Sequence, residues 1–231
     1  MTKTLFVLVV VAVIAAAIYY EWRRGDAMEA TANRLGLDFL PDQKTLPAPL
    51  AAAGFDLFAQ GPPLIRFYMT GQRDGGRLAL FEFTYSAAPA GEGEADLPLQ
   101  DDQVGMERRA QTVIWAVLER ELPDFDLAPA RGVHQRRVAD RFGFIPVTFD
   151  DDRAFDRDYR LLGRDAGRLR RLFDPALRHY LLQHPGLVLE SRGRNLLIYH
   201  FGRLTDPKRL PALLQQGREL LDLLESAAAG V

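Results

Sequence analysis

The 231-residue chain has no cysteine. Disulfides, thiolate zinc and Fe–S sites and a cysteine nucleophile are therefore excluded. Lysine is scarce: Lys3, Lys44 and Lys208 are the only lysines among 29 basic residues, a skew that matches the codon usage of a GC-rich genome. Charge of one sign is also lacking. A formal net charge of -2 gives no global electrostatic pull on nucleic acid. No GxSxG, P-loop, HExxH or post-strand GxGxxG motif occurs, so the common catalytic and phosphate-binding fingerprints are missing. Polar interruptions are missing too over one stretch: Leu5 to Tyr20 is sixteen apolar residues with no charge.

That stretch is what the chain does have. As a helix, Thr4 to Trp22 spans roughly 28 Å at ~1.5 Å per residue, close to a hydrocarbon core of about 30 Å. Tyr19, Tyr20 and Trp22 fall where an interfacial aromatic belt belongs. Residues 1–24 are thus expected to be an N-terminal membrane anchor, with the bilayer as partner of residues 4–22. A cleavable signal peptide is the rival, with Lys3 as its basic region and Ala15–Ala16–Ala17 as its cleavage motif. Cleavage there would leave Ile18–Tyr19–Tyr20–Glu21–Trp22 as an exposed apolar end. A buried core helix fits less well, because the run has no polar face. Arg23 and Arg24 against Lys3 and the α-amine predict the C-terminal side in the cytoplasm.

Gly25 to Leu35 is helix-friendly and Gly36 is its stop, which makes residues 25–36 a helical stalk. Residues 37–226 read as a single soluble domain and residues 227–231 as a frayed tail. Leu50 to Ala53 is one helical turn, and Phe55, Leu57 and Phe58 alternate as a short strand. Leu64–Thr70 and Leu78–Tyr85 form a hairpin around a Gly71–Gly76 turn region containing Asp74–Gly75. Both faces of its second strand are apolar, so that strand is central. Arg109–Leu118, Asp124–Leu127, Phe144–Phe149 and Asp158–Leu162 are further strand candidates, and Pro146 places the third of these at an edge. Asp165 caps a helix over Ala166–Phe173, and Asp174–Pro175 starts another that runs to Gln183. Leu187–Ser191 and Asn195–Phe201 form a second hairpin around Arg192–Gly193. Asp206–Pro207 opens a last helix to about Glu225, with a leucine stripe. The fold class is α+β: two antiparallel hairpins and one or two further strands, packed by C-terminal helices. Phe-Asp-Leu recurs at Phe55–Leu57 and Phe125–Leu127, marking 37–130 and 131–226 as candidate halves of a duplication.

The chemistry-bearing residues are few and dispersed. Ala87 to Glu107 is acidic, fits no EF-hand spacing and reads as a solvated insertion. The stretch with Arg131, Arg136, Arg137 and Arg141 reads as a solvated basic face. Asp150–Asp151–Asp152 reads as an acidic turn. Of the four histidines, His134, His179, His184 and His200, no two share spacing that converges on a metal. Catalytic, metal and cofactor-binding residues are accordingly none. Arg164, Arg168 and Arg171 share a helix face and are the candidates for binding an anionic lipid surface or an acidic partner. Trp115 and the Phe67, Tyr68, Phe81, Phe83 and Tyr85 set form core. Only Arg66 interleaves them, so no nucleic-acid platform is expected.

Short motifs run along nearly the whole chain: Leu35–Gly36–Leu37 with Phe39 and Pro41, Phe55–Asp56–Leu57–Phe58, Phe81 to Tyr85, Gln111–Thr112–Val113, Leu122–Pro123 with Phe125 and Leu127, then Phe155, Tyr159, Leu161, Gly163, Leu172–Phe173 and Leu196 to Tyr199. In these the chain resembles a group of uncharacterised bacterial proteins with one N-terminal membrane helix and a domain of unknown function. The resemblance implies an uncleaved anchor in the bacterial inner membrane and a domain on the cytoplasmic side, and it implies no activity. Three functions are weighed: a non-catalytic interaction module with a protein partner or self-association, a lipid or small-ligand binding domain, and a hydrolytic enzyme with a dispersed acid/base site. A cleft gathering Asp, His and Arg would discriminate them.

Overall fold

A computed structural model describes residues 2–41, 43–59, 64–73, 76–87, 107–130 and 142–229. The Asp74–Gly75 turn, most of the acidic insertion (88–106) and the basic stretch 131–141 lie outside the described residues. The chain is α+β. Helix α1 (Thr2–Leu35) leads into a nine-stranded antiparallel sheet with the order β1-β2-β3-β4-β9-β8-β5-β7-β6. Its strands are β1 (Asp38–Leu40), β2 (Leu64–Arg73), β3 (Gly76–Ala87), β4 (Glu107–Val117), β5 (Phe125–Pro129), β6 (Ile145–Val147), β7 (Tyr159–Gly163), β8 (Leu187–Arg192) and β9 (Asn195–His200). Helices α2 (Ala48–Ala52), α3 (Arg153–Asp158), α4 (Ala166–Leu172), α5 (Pro175–Gln183) and α6 (Leu210–Ala228) complete it.

Period-two alternation dictates how the sheet is covered. Leu78, Leu80, Ile114, Leu127, Leu161, Leu196 and Ile198 point to one face, where α1 and α4–α6 close a core containing Met28, Ala32, Leu169, Leu177, Leu214 and Leu221. Ala79, Phe81, Phe83, Tyr85, Val113, Trp115 and Leu197 point to the other, beneath Leu50, Phe55 and Leu57. With both faces of β3 buried, that strand is central, as its two apolar faces predict. Pro146 lies in β6, an edge strand.

Both expected hairpins form. The caps are as read: Asp165 accepts from the Arg168 amide and Asp174 from the Leu177 amide. Other features depart from the sequence reading. There are nine strands among the described residues, more than two hairpins and one or two others. Phe55–Phe58 is not a strand; Asp56–Ala59 is a 3-10 turn, because the Glu190 carboxylate accepts from the amides of Asp56 (2.8 Å) and Leu57 (3.4 Å) and curls the backbone inward. The acidic triplet is structural: Asp152 caps α3 through the Phe155 amide, and Asp151 and Asp152 both pair with the buried Arg178. β5, in the first candidate half of a duplication, pairs between β8 and β7 of the second, so 37–130 and 131–226 share one sheet. Helix α6 continues to Ala228 because Ala227 and Ala228 pack against the core.

The segment assigned to a stalk departs most. Helix α1 continues unbroken through it, but residues 24–35 lie on the sheet rather than projecting from it. Met28 and Ala32 are fully buried. Leu5 to Trp22, in contrast, is exposed throughout, so this part is not a core helix. By length and composition α1 can cross a membrane.

Candidate functional site

The site is set by where α1 meets the sheet. Gly71 of β2 lies against Leu37, Phe67 lies beside Gly25, and Arg66 pairs with Glu21. Moving towards its N-terminus, the helix therefore runs towards the start of β2 and leaves the domain there. One extra residue in β2, between Arg66 and Met69, makes a bulge. Phe67 sits in it with φ +53, a left-handed conformation that is uncommon for a bulky residue. The bulge turns its ring onto the helix and stacks it on Phe39.

At the exit, Arg24 forms an ion pair with Glu82 of β3 and donates to the Thr205 carbonyl at 3.0 Å. Glu82 is buried, and burial pushes its carboxyl above the usual range against the opposing pull of Arg24. Thr112 lies opposite Glu82 and its hydroxyl accepts from the Thr205 amide. These contacts bind the loop after β9 to the helix exit. The start of β2, the end of β3, the start of β4, the end of β9 and the start of β8 all lie at this end of the sheet, where the candidate anchor leaves the domain.

A groove of about 700 Å³ opens there between the loop after β9 and α6. His184, His200, Arg203, Arg209, Asp206 and Glu219 line it. The hairpin register, Leu187 opposite His200, brings together the two histidines that sequence spacing keeps apart. His184 Nδ1 lies 2.8 Å from the Tyr180 carbonyl. A carbonyl only accepts, so Nδ1 carries a proton in that contact. The His184 ring stacks on Tyr180 with centroids 4.1 Å apart. Burial and Glu219 push the Tyr180 hydroxyl up to about 12. Burial, with Arg203 and His184 nearby, holds His200 below the ordinary imidazole value. Both carboxylates are engaged: Asp206 accepts from the Lys208 amide, and Glu219 from Tyr180 and Gln215. Among the described residues neither orients an imidazole, as general-base catalysis would ask. The guanidiniums of Arg203 and Arg209 are exposed and have no ion-pair or hydrogen-bond partner among the described residues.

A second polar cluster is buried under the opposite face. Arg192 donates to both Asp126 oxygens (2.9 and 3.2 Å) and lies over the rings of Phe142 and Phe144. Glu190 accepts from the Tyr199 hydroxyl at 2.7 Å. Burial pushes the carboxyls of Asp126 and Glu190 up, Glu190 adding to the rise at Asp126. With its groups tied to backbone and to one another, this cluster pins the 55–57 segment to the sheet.

The arginines singled out from sequence lie elsewhere. Arg164 follows β7, whose Gly163 pairs with Phe125 and Ile145 at the end of the sheet opposite the anchor. It donates twice to the Phe142 carbonyl and covers the Phe144 ring. Arg168 and Arg171 are exposed on α4. Leu187–His200 and Arg192–Asn195, the two ends of the β8–β9 hairpin, are five steps apart, about 17 Å. No group of three or more metal-ligating side chains occurs among the described residues.

No family model and no curated protein matches the sequence. Among solved structures, the crystal structure of the mycobacterial trehalose monomycolate transport factor A is similar over 87% of this chain and 94% of its own. The sequence identity is 13% and the TM-score 0.54. The likeness is one of fold.

Proposed function

We propose that this chain, like the bacterial single-pass proteins it resembles, is a non-catalytic interaction module tethered to the inner membrane, and that it serves as an accessory factor in lipid transport. The carrying observation is the unbroken passage of α1 from an exposed apolar segment into the domain core, through the Arg24–Glu82 pair and the burial of Met28 and Ala32. A helix joined this way holds the domain against the bilayer instead of letting it swing. Arg23 and Arg24 favour a cytoplasmic domain. The transport-factor name of a structural neighbour that is similar over nearly its whole length supports the lipid role.

The test uses the cell that makes the protein. Crosslinking in native membranes is expected to recover a membrane partner or a second copy, and depletion of the chain to change the exported lipid pool. Recovery of neither partner nor copy, with an unchanged lipid profile, overturns the proposal.

A further inference from the structure

With residues 5–22 in a bilayer, the anchor end of the sheet meets the membrane surface. Arg24 sets the level, because it ties the helix exit to Glu82 and to the Thr205 carbonyl within one side chain's reach. Leu64 and Leu204 are exposed large apolar residues at this end, 44% and 42% accessible. The groove opens beside Leu204, which is itself part of its lining.

The cations there are unevenly matched. Arg24 is taken by Glu82 and Arg66 by Glu21. Among the described residues Arg203 and Arg209 have no such partner, and Lys208 adjoins Arg209 in sequence. The groove's two carboxylates are held by hydrogen bonds from the Lys208 amide, Tyr180 and Gln215. Two guanidiniums lining one groove, with no partner among the described residues, are suited to a phosphate diester, which accepts bidentate hydrogen bonds. Glu219 and Gln216 in the same lining are suited to the hydroxyl or amine end of a headgroup.

We propose that this groove is a phospholipid headgroup site, in which Arg203 and Arg209 take the phosphate and His184 and His200 form the floor. It rests on the membrane tether proposed above. It also moves the anionic-lipid role from Arg164, at the far end of the sheet, and from Arg168 and Arg171 on α4, none of which lines the groove, to a different set of arginines.

The experiment uses the full chain in neutral detergent micelles and follows the anisotropy of an acyl-labelled phosphatidylglycerol. Saturable binding is expected. Arg203→Gln with Arg209→Gln should weaken it about tenfold or more, the size expected for two arginines at a lipid surface. Arg203→Lys with Arg209→Lys should retain most of it, and Arg168→Gln with Arg171→Gln should leave it unchanged. Inorganic phosphate should not compete. Equal binding by the glutamine pair and the wild type overturns the site, as does weakening by the α4 pair alone. Full competition by inorganic phosphate overturns the lipid source. All four arginines are surface residues, so an unchanged melting curve is expected for every variant. Carbonate extraction of membranes tests the tether separately. Release of the chain defeats the tether, whereas retention with no phosphatidylglycerol preference defeats only the headgroup site.

Discussion

Arg24 and Glu82 join two parts of the chain that sequence reading separates, a membrane flank and a strand. Glu82 is almost fully covered, with 3% of its side chain exposed, and Arg24 has 12% exposed. Removing one partner of such a pair leaves the other desolvated without compensation. Glu82→Ala is expected to cost about 3 kcal/mol, read by denaturant unfolding of the full chain in detergent. Glu82→Ala in an Arg24→Met background should cost much less, giving a coupling energy by double-mutant cycle. His200 supplies a pH dependence. Burial lowers its folded-state pKa from 6.5, so the unfolded chain binds the proton more readily. Stability on its account is present above about pH 6.5 and is lost as pH falls towards the lower folded value. In His200→Gln this part of the fall is absent, and thermal melts between neutral and mildly acidic pH should show a shallower slope than the wild type.

At the scale of elements, the strands and caps were legible because they rest on local rules. Phe81, Phe83 and Tyr85 alternate with Leu78 and Leu80 to mark β3, and the aspartates at 165 and 174 announce their helices. What was illegible depends on contacts far along the chain. β1 is three residues long and exists because it pairs with Tyr68–Thr70. The 55–58 segment alternates like a strand, but Glu190, 134 residues on, accepts from the Asp56 amide. The groove was hidden for the same reason. His184 and His200 carry no common motif, and only the β8–β9 register places them together. The sequence signal for their meeting is a histidine near each outer end of one hairpin. Close approach between elements gives a prediction here. A Cβ at Gly163 would lie 2.9 Å from the Asp124 carbonyl oxygen and would collide with Leu169 of α4. Gly163→Ala is therefore expected to destabilise by about 1–3 kcal/mol through overpacking, read as a lowered denaturation midpoint with an unchanged slope.

At the scale of the whole molecule, anchor and domain form one continuous structure. A greasy N-terminal run with an arginine flank is legible in sequence as a membrane segment. That its continuation supplies core side chains is not, because Met28 and Ala32 sit in a helix-friendly stretch with no strong apolar stripe. The consequence is geometric. A free stalk would let the sheet take any orientation, whereas on the proposed tether a docked helix presents one end of it to the lipid. Leu64, Leu204 and Arg203 lie at that end, and Ile145 and Arg164 lie at the other. The absence of cysteine makes this directly measurable, since single cysteines can be introduced and labelled one at a time. A polarity-sensitive fluorophore on Leu204→Cys and one on Ile145→Cys are compared in the full chain, reconstituted in vesicles containing headgroup-proximal spin-labelled lipid. The account predicts strong quenching at position 204 and none at position 145. Equal quenching at the two positions, or quenching at 145 alone, would contradict it.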